Sequence, residues 1–268
     1  MTHLIFIFAM IPFIFNNATA FAANYSFSVC GTGDSQILLQ KLAEHYQTTH
    51  PDITINIQDS VGSSGGIRKV ASGECELGRV ARNFNNKELQ YNLKHQLFAY
   101  SAIAFITSSH LTIDTISTKQ VVSILSGETS NWKKLGGDDA PIYIVNRERG
   151  DSSRTVLEEN IPALNDLSPW AGKMFYTTTE AVQAVERHEN TFSFAPLAVA
   201  KAHKVQILNY NGINPSPQNI KSGKYPLVVS LGLVWKDVLN QPVQEFVDFI
   251  ISPSAQTIIS DNGAIPAK

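Results

Sequence analysis

The stretch Tyr25-Ser26-Phe27-Ser28-Val29-Cys30-Gly31-Thr32-Gly33-Asp34-Ser35 holds a strand, a break and a helix start in succession. Apolar and polar residues alternate from Tyr25 to Cys30, the period of a strand with one buried face. Two glycines then interrupt it. From Ser35 the apolar positions Ile37, Leu38, Leu42 and Tyr46 recur at helical spacing, with Asp34 or Ser35 available as the N-cap, and Pro51 ends the run. The next segment repeats the unit. Ile53-Thr54-Ile55-Asn56-Ile57 reads as a strand, Gly62-Ser63-Ser64-Gly65-Gly66 as its turn, and Ile67, Val70 and Ala71 as the face of a short helix closed by Gly73. Glu76 to Ala81 is a third strand.

Strands and helices continue to alternate along the chain. Ile142 to Val145 and Thr191 to Ala195 read as strands, a helix over Lys119 to Leu125 stops at Gly127, and another begins near Ser153. Gly212 to Gly223, with Pro215 and Pro217, reads as a loop. Helices opened by Pro242 and Pro253 close the sequence. This order predicts an α/β fold with mainly parallel sheets flanked by helices. Two long, nearly uncharged runs, Leu97 to Thr107 and Leu227 to Val234, fit buried strands that cross between two lobes. The chain is therefore expected to form a two-lobed, periplasmic-binding-protein-like clamp with two hinge crossings. Residues 24–101 plus 227–268 would form lobe I, and 102–226 lobe II.

Residues 1–23 carry no Lys, Arg, Asp or Glu, and an apolar run from Leu4 to Phe15 precedes the small residues Ala18, Ala20, Ala22 and Ala23. That pattern is read as a cleaved signal peptide, which implies a periplasmic or secreted protein. The run is shorter than the roughly 20 apolar residues a membrane span needs. A formal net charge of −2 leaves no basic field to gather nucleic acid. The two cysteines, Cys30 and Cys75, have no metal-type spacing; an oxidising compartment permits a disulfide between them without requiring it.

Three turns of the same kind lie between a strand and a helix start: Gly31 to Ser35, Gly62 to Gly66, and Arg147 to Ser153. Each helix start offers free backbone N–H groups and the positive end of its dipole, so each can seat an anion. Such starts converge at the carboxyl ends of the strands in an open α/β sheet. Taken singly, each turn is also an ordinary cap. Arg147 sharpens the reading, because a guanidinium can fork two N–H bonds to neighbouring oxyanion oxygens; its bland alternative is a surface ion pair.

These segments, together with Leu125-Ser126-Gly127-Glu128-Thr129-Ser130-Asn131-Trp132, Ser222 to Leu227 and Gly263-Ala264-Ile265-Pro266, resemble the periplasmic phosphate-binding proteins that feed phosphate-specific ABC transporters. The resemblance covers nearly all of the chain beyond residue 23. It implies a solute-binding protein that closes around inorganic phosphate and delivers it to an ABC transporter permease, with no cofactor and as a monomer. Carried over by position, it implies a ligand set of Gly33 and Ser35 in the first turn, Ser63 and Ser64 in the second, Arg147, and Asp151, Ser152 and Ser153 at the helix start. Two positions depart from the family pattern. Ala81-Arg82 stands where the family often has an aspartate or Ser-Arg, and Asp151 stands where a small or hydroxyl residue is usual. Asp151 is open to three readings: a cap of its own helix, a relocated acceptor for the proton of the ligand, or a partner for Arg147.

Ser152 and Ser153 have no nearby context of the Gly-x-Ser-x-Gly kind, no histidine is placed by motif as a base, and no paired carboxylates announce acid–base work, so an enzyme is not expected. The histidines show no metal-ligand spacing. The alternatives to phosphate capture are binding or sensing of another oxyanion, an interaction protein whose pocket has drifted and, less in keeping with the motifs, a secreted hydrolase.

Overall fold

The structure is a computed structural model and describes residues 24–267; the expected signal peptide, 1–23, lies outside the described residues. β1 (Tyr25–Gly31) sends Phe27 and Val29 inward, and α1 (Gln36–Thr49) covers it with Leu38, Leu39, Leu42, Ala43 and Tyr46. Those residues recur at three- and four-residue steps and so make one apolar stripe. β2 (Ile53–Ser60) and β3 (Leu77–Val80) lie parallel on either side of β1, and α2 (Gly62–Ser72) joins them. α2 packs so closely on β1 that only glycine fits at position 66, where an added Cβ would stand 2.6 Å from the Cα of Gly31. A disulfide between Cys30 and Cys75, with Cα atoms 6.3 Å apart, fastens the end of β1 to the residues entering β3.

β4 (Lys94–Ser108) then runs through the middle of the molecule. After it come β5 (Thr115–Ile116), α3 (Thr118–Leu125), β6 (Tyr143–Arg147), α4 (Ser152–Asn160), β7 (Lys173–Phe175), α5 (Thr178–Arg187) and β8 (Thr191–Pro196). Next are α6 (Leu197–Lys201), β9 (Val205–Ile207), β10 (Asn209–Tyr210) and α7 (Pro217–Lys221). The chain returns through β11 (Val228–Trp235) and finishes with α8 (Gln241–Ile251), α9 (Pro253–Asp261) and β12 (Ala264–Pro266).

The main sheet has the order β2-β1-β3-β11-β4-β8-β6-β7, with β9 and β12 also paired to β4. Both flanks are parallel, as alternating strands and helices require, whereas β4 is antiparallel to every strand it touches. The long strand changes partners midway. Up to Ala102 it pairs with β11, and from Ile103 to Thr107 it pairs with β8. The returning chain meets it at that same place, where Ile103 N–H donates to the carbonyl of Leu227 at 2.8 Å. Tyr225, buried beside it, donates its hydroxyl to the carbonyl of Ile103 at 2.8 Å. Ile103 faces Pro196, which has no N–H to offer.

Aromatic side chains fill much of the core around β4 and β8. Phe105, Phe192, Phe194 and Trp132 are fully or almost fully buried, each contributing about 1.5–3 kcal/mol of transfer free energy. Two sequence expectations need correction, and one helix went unread. The turn expected at Gly62 to Gly66 is already the first turn of α2, which begins at Gly62. Gly212 to Gly223 is not all loop: Ser216 caps the short helix α7 through the N–H of Asn219, with Pro217 in its first turn. α5, unread in the sequence, is a full helix capped by Thr177 and buried along Ala181, Val182 and Val185.

Candidate functional site

The site is assembled where α1, α2, α4 and α5 begin. α1 and α2 follow β1 and β2 on one flank of the sheet, and α4 and α5 follow β6 and β7 on the other. Direct hydrogen bonds join the two flanks. The hydroxyls of Ser63 and Ser152 stand 3.0 Å apart. Ser153 Oγ donates to Asp34 Oδ2 at 3.2 Å, and Thr178 Oγ1 donates to Asp34 Oδ1 at 2.8 Å. The three turns singled out from the sequence therefore meet, and the head of α5 joins them as a fourth.

Gly33 is a close-contact glycine, since an added Cβ would come 3.0 Å from Thr178 Oγ1. Ser35 occupies the N-cap position of α1 without capping it. Its hydroxyl is fully buried and has no hydrogen-bond partner among the described residues. Buried hydroxyls are normally satisfied, so this one is a group in need of a partner. Ser63 lies in the first turn of α2, where it accepts the N–H of Ala81 at 3.0 Å and faces Ser152. Ser64, one residue further on, is turned away. It donates to Glu88 at 2.9 Å and accepts from Arg82 at 2.6 Å, because successive residues of a helix point to different sides. Arg82, whose side chain is 21% exposed, pairs with Glu88 at 2.7 Å.

Arg147 ends β6 with its side chain 4% exposed. It donates through Nε to the carbonyl of Phe175 at 3.1 Å, through Nη1 to Thr178 Oγ1 at 2.8 Å and through Nη2 to the carbonyl of Tyr176 at 3.2 Å. Nη2 also meets Asp151 Oδ2 at 2.7 Å. Asp151 is at once the cap of α4, accepting the N–H of Arg154 at 3.0 Å, and the ionic partner of Arg147. Two of its three sequence readings thus hold together. Ser152 and Ser153 are buried in the first turn of α4.

Three contributors escaped the sequence reading. Asp34, completely buried, does not cap α1; its carboxylate is turned across the site to Ser153, Thr178 and the charge of Arg147. Burial and the neighbouring Asp151 raise its pKa to about 6, against the lowering effects of Arg147, Thr178 and Ser153. Burial also raises Asp151, with Arg147 and the N–H groups of Arg154 and Ser153 opposing. Thr178 bridges Arg147 and Asp34, and the signature Thr177-Thr178-Thr179-Glu180, in which Thr177 caps the helix by accepting the N–H of Glu180, marks the helix that carries it. Arg79 is the third. Fully buried under the first turn, it donates to the carbonyls of Thr32, Val29 and Gln58 and to the Gln36 side chain. Burial lowers its pKa to about 10, so it stays charged at neutral pH and serves as a post for the turn.

A cleft of about 470 Å³ opens beside these groups, lined by Ala81, Arg82, Phe84, Gly150, Ser152 and Val156 among others. A larger groove of about 1100 Å³ runs past Leu97, Tyr100, Pro226 and Gln256 and touches none of them. What the site offers is chemically narrow: hydroxyls, helix N-termini and one guanidinium for an anion, beside two carboxylates that accept hydrogen bonds and repel charge.

The family model described as "PBP superfamily domain" matches residues 17–254. The chain is 26% identical over 251 residues to the phosphate-binding protein PstS of Borreliella burgdorferi, covering 90% of each. It is 25% identical over 248 residues to the phosphate-binding protein PstS of Bacillus subtilis, covering 91% of this chain and 81% of that one. Among solved structures it is similar to a Clostridium perfringens protein described as a phosphate ABC transporter substrate-binding protein with bound phosphate. There the TM-score is 0.80 at 27% identity, covering 91% of this chain and all of that one.

Proposed function

The chain belongs to the PBP superfamily domain family, and from that premise we propose that it is an exported solute-binding protein that captures inorganic phosphate and hands it to an ABC transporter. The observation that carries this reading is the meeting of four helix starts around Arg147, with the Ser35 hydroxyl buried beside them and without a hydrogen-bond partner among the described residues. Stripping water from phosphate is costly, and a cage of hydroxyl and amide donors with one guanidinium offsets that cost. The relatives' names, phosphate-binding protein PstS, support the same ligand.

In this reading Gly33, Ser35, Ser63, Arg147, Asp151, Ser152 and Ser153 surround the ion, joined by Asp34 and Thr178. Ser64 contributes from outside, by holding Arg82 and Glu88 at the mouth. Residues 24–101 with 227–268 form one lobe and 102–226 the other, and the partner change along β4 with the return at Leu227 makes the hinge. Closure of the lobes brings Ser63 to Ser152 and shuts the ion in. The protein works outside the cytoplasm as a monomer, engages a permease, and turns over nothing.

The test is thermal unfolding of the intact chain with phosphate, arsenate, sulfate, molybdate and tungstate in parallel. A ligand bound only by the folded state at a hundred times its Kd adds about 2.7 kcal/mol of stability. Phosphate and arsenate are expected to raise the melting temperature most. A larger rise with sulfate or molybdate would move the assignment to another oxyanion, and hydrolysis of a phosphate or acyl ester would contradict a pure binder.

A further inference from the structure

Gly33, Asp34 and Ser35 lie between the end of β1 and the start of α1, and they carry the first seat of the proposed cage. Across the site Asp34 reaches Ser153 and Thr178 on the opposite flank, contacts that part when the lobes do. Within their own flank both ends of the segment are fastened to one side chain. Arg79, from β3, donates through Nε to the carbonyl of Thr32 at 2.6 Å, just before the segment, and through Nη2 to Oε1 of Gln36 at 3.1 Å, just after it. The same guanidinium donates through Nη1 to the carbonyl of Val29 in β1 at 2.8 Å and through Nη2 to that of Gln58 in β2 at 2.6 Å. The Arg79 carbonyl in turn accepts the N–H of Thr32 at 3.0 Å.

This arginine is set apart by what it lacks. Arg82, Arg147 and Arg154 each pair with a carboxylate, whereas Arg79, fully buried, meets only neutral oxygens among the described residues. Burial lowers its pKa to about 10, with Asp59 opposing. Burying a charge is costly, and an apolar side chain would fill the same space without that cost. What an apolar residue cannot supply is direction. A planar guanidinium aims fixed N–H bonds at several carbonyls at once, a geometry that the single ammonium of lysine does not reproduce.

We propose that Arg79 is a positioning residue for anion capture: its fork holds residues 33–35 in their ion-binding shape while the lobes are apart, so that phosphate meets a turn already formed. Ordering a turn at the moment of binding costs affinity, and fixing it beforehand removes that cost. Arg79 acts through the turn and its donors are all spent within its own flank. The inference rests on phosphate capture and adds to it the residue that prepares the first seat.

The experiment is calorimetric titration of the intact chain, Arg79→Met and Arg79→Lys with phosphate, well below their melting temperatures, joined to amide hydrogen exchange at Thr32, Asp34 and Gln36, whose N–H groups are bonded within the turn. Arg79→Met is expected to bind phosphate about 10- to 100-fold more weakly, the range lost when the outer partner of a metal ligand is removed, and Arg79→Lys to recover only a small part of that loss. The three amides should be protected in the empty wild type. In empty Arg79→Met they should exchange fast and slow again with saturating phosphate, while the amides of β8 stay as they are in the wild type; a purely structural role would loosen both places and leave the affinity of the folded protein unchanged. Wild-type affinity in Arg79→Met, or its full return in Arg79→Lys, would overturn this inference and leave phosphate capture standing. No phosphate binding by the wild type would overturn both. Where Arg79→Met fails to fold, the wild type and Arg79→Lys decide: fast exchange at the three amides of the empty wild type, slowed only by phosphate, overturns the inference.

Discussion

Asp34 should make the folded protein less stable at neutral pH than in mild acid, and Asp34→Asn should remove its part of that dependence while the part from Asp151, also raised by burial, stays in both proteins. Its pKa is raised from 3.8 to about 6 on folding, because burial and Asp151 disfavour the charge. A shift of about two units at about 1.36 kcal/mol per unit is worth about 3 kcal/mol. The sign follows from proton counting. Between about pH 4 and pH 6 the folded state holds more protons at this position than the unfolded one, so stability falls as pH rises through that window and then levels off. Asparagine has no such titration. It loses about 1 kcal/mol through poorer acceptance from Ser153 and Thr178, which leaves the variant about 2 kcal/mol more stable than the wild type near pH 8. Near pH 4 the advantage shrinks to nothing or reverses. Urea unfolding of both proteins at the two pH values, disulfide intact and ligand absent, measures it. A stability difference that is the same at both pH values, or a variant weakened more at pH 8 than at pH 4, would refute the reasoning. That outcome would mean Arg147 and the hydroxyls hold Asp34 ionised at no cost.

Three further outcomes are expected. Arg147→Met strips from two buried carboxylates the guanidinium that pairs with Asp151 and should cost about 3–5 kcal/mol at neutral pH, with a smaller loss near pH 5; denaturant midpoints check it, and phosphate should no longer shift them. Reducing the Cys30–Cys75 disulfide, a sequence separation of 45, releases a loop worth up to about 4 kcal/mol, read as a lower urea midpoint under reductant. Tyr225→Phe leaves the carbonyl of Ile103 short of a donor where the chain crosses and returns, at a cost of about 1–3 kcal/mol by equilibrium unfolding.

Much of the fold is legible because it rests on local periodicity. The strand–turn–helix units around Gly31 and Gly62, the uncharged run of β4 and the paired return of β11 all declare themselves by spacing and apolar content. That the turns bearing Arg147 and the serines meet is legible for a related reason, since each strand-to-helix turn is written in a short segment. Asp34 is not, because next to a helix start it looks like any cap, and its real partners lie 119 and 144 residues away. The same limit hides Arg79. An arginine in a short strand suggests solvent, and only the folded turn supplies the carbonyls that satisfy it. Ser64 shows the opposite failure: motif position groups it with Ser63, and one step of helical rotation separates them. Thr178 could have been found, because Thr177-x-x-Glu180 before Ala181, Val182 and Val185 is a legible helix start that lacks only the glycines by which the other seats stand out.

A crystal structure grown with saturating phosphate near pH 6 tests the central claim most directly. The expected result is one tetrahedral ion between the two flanks of the sheet, touching Ser35 Oγ, Ser63 Oγ and the Arg147 guanidinium, with an Asp34 oxygen within hydrogen-bond distance of an ion oxygen. Phosphate absent from that place, with Ser63 still bonded to Ser152 and Asp151 still closed on Arg147, would contradict it.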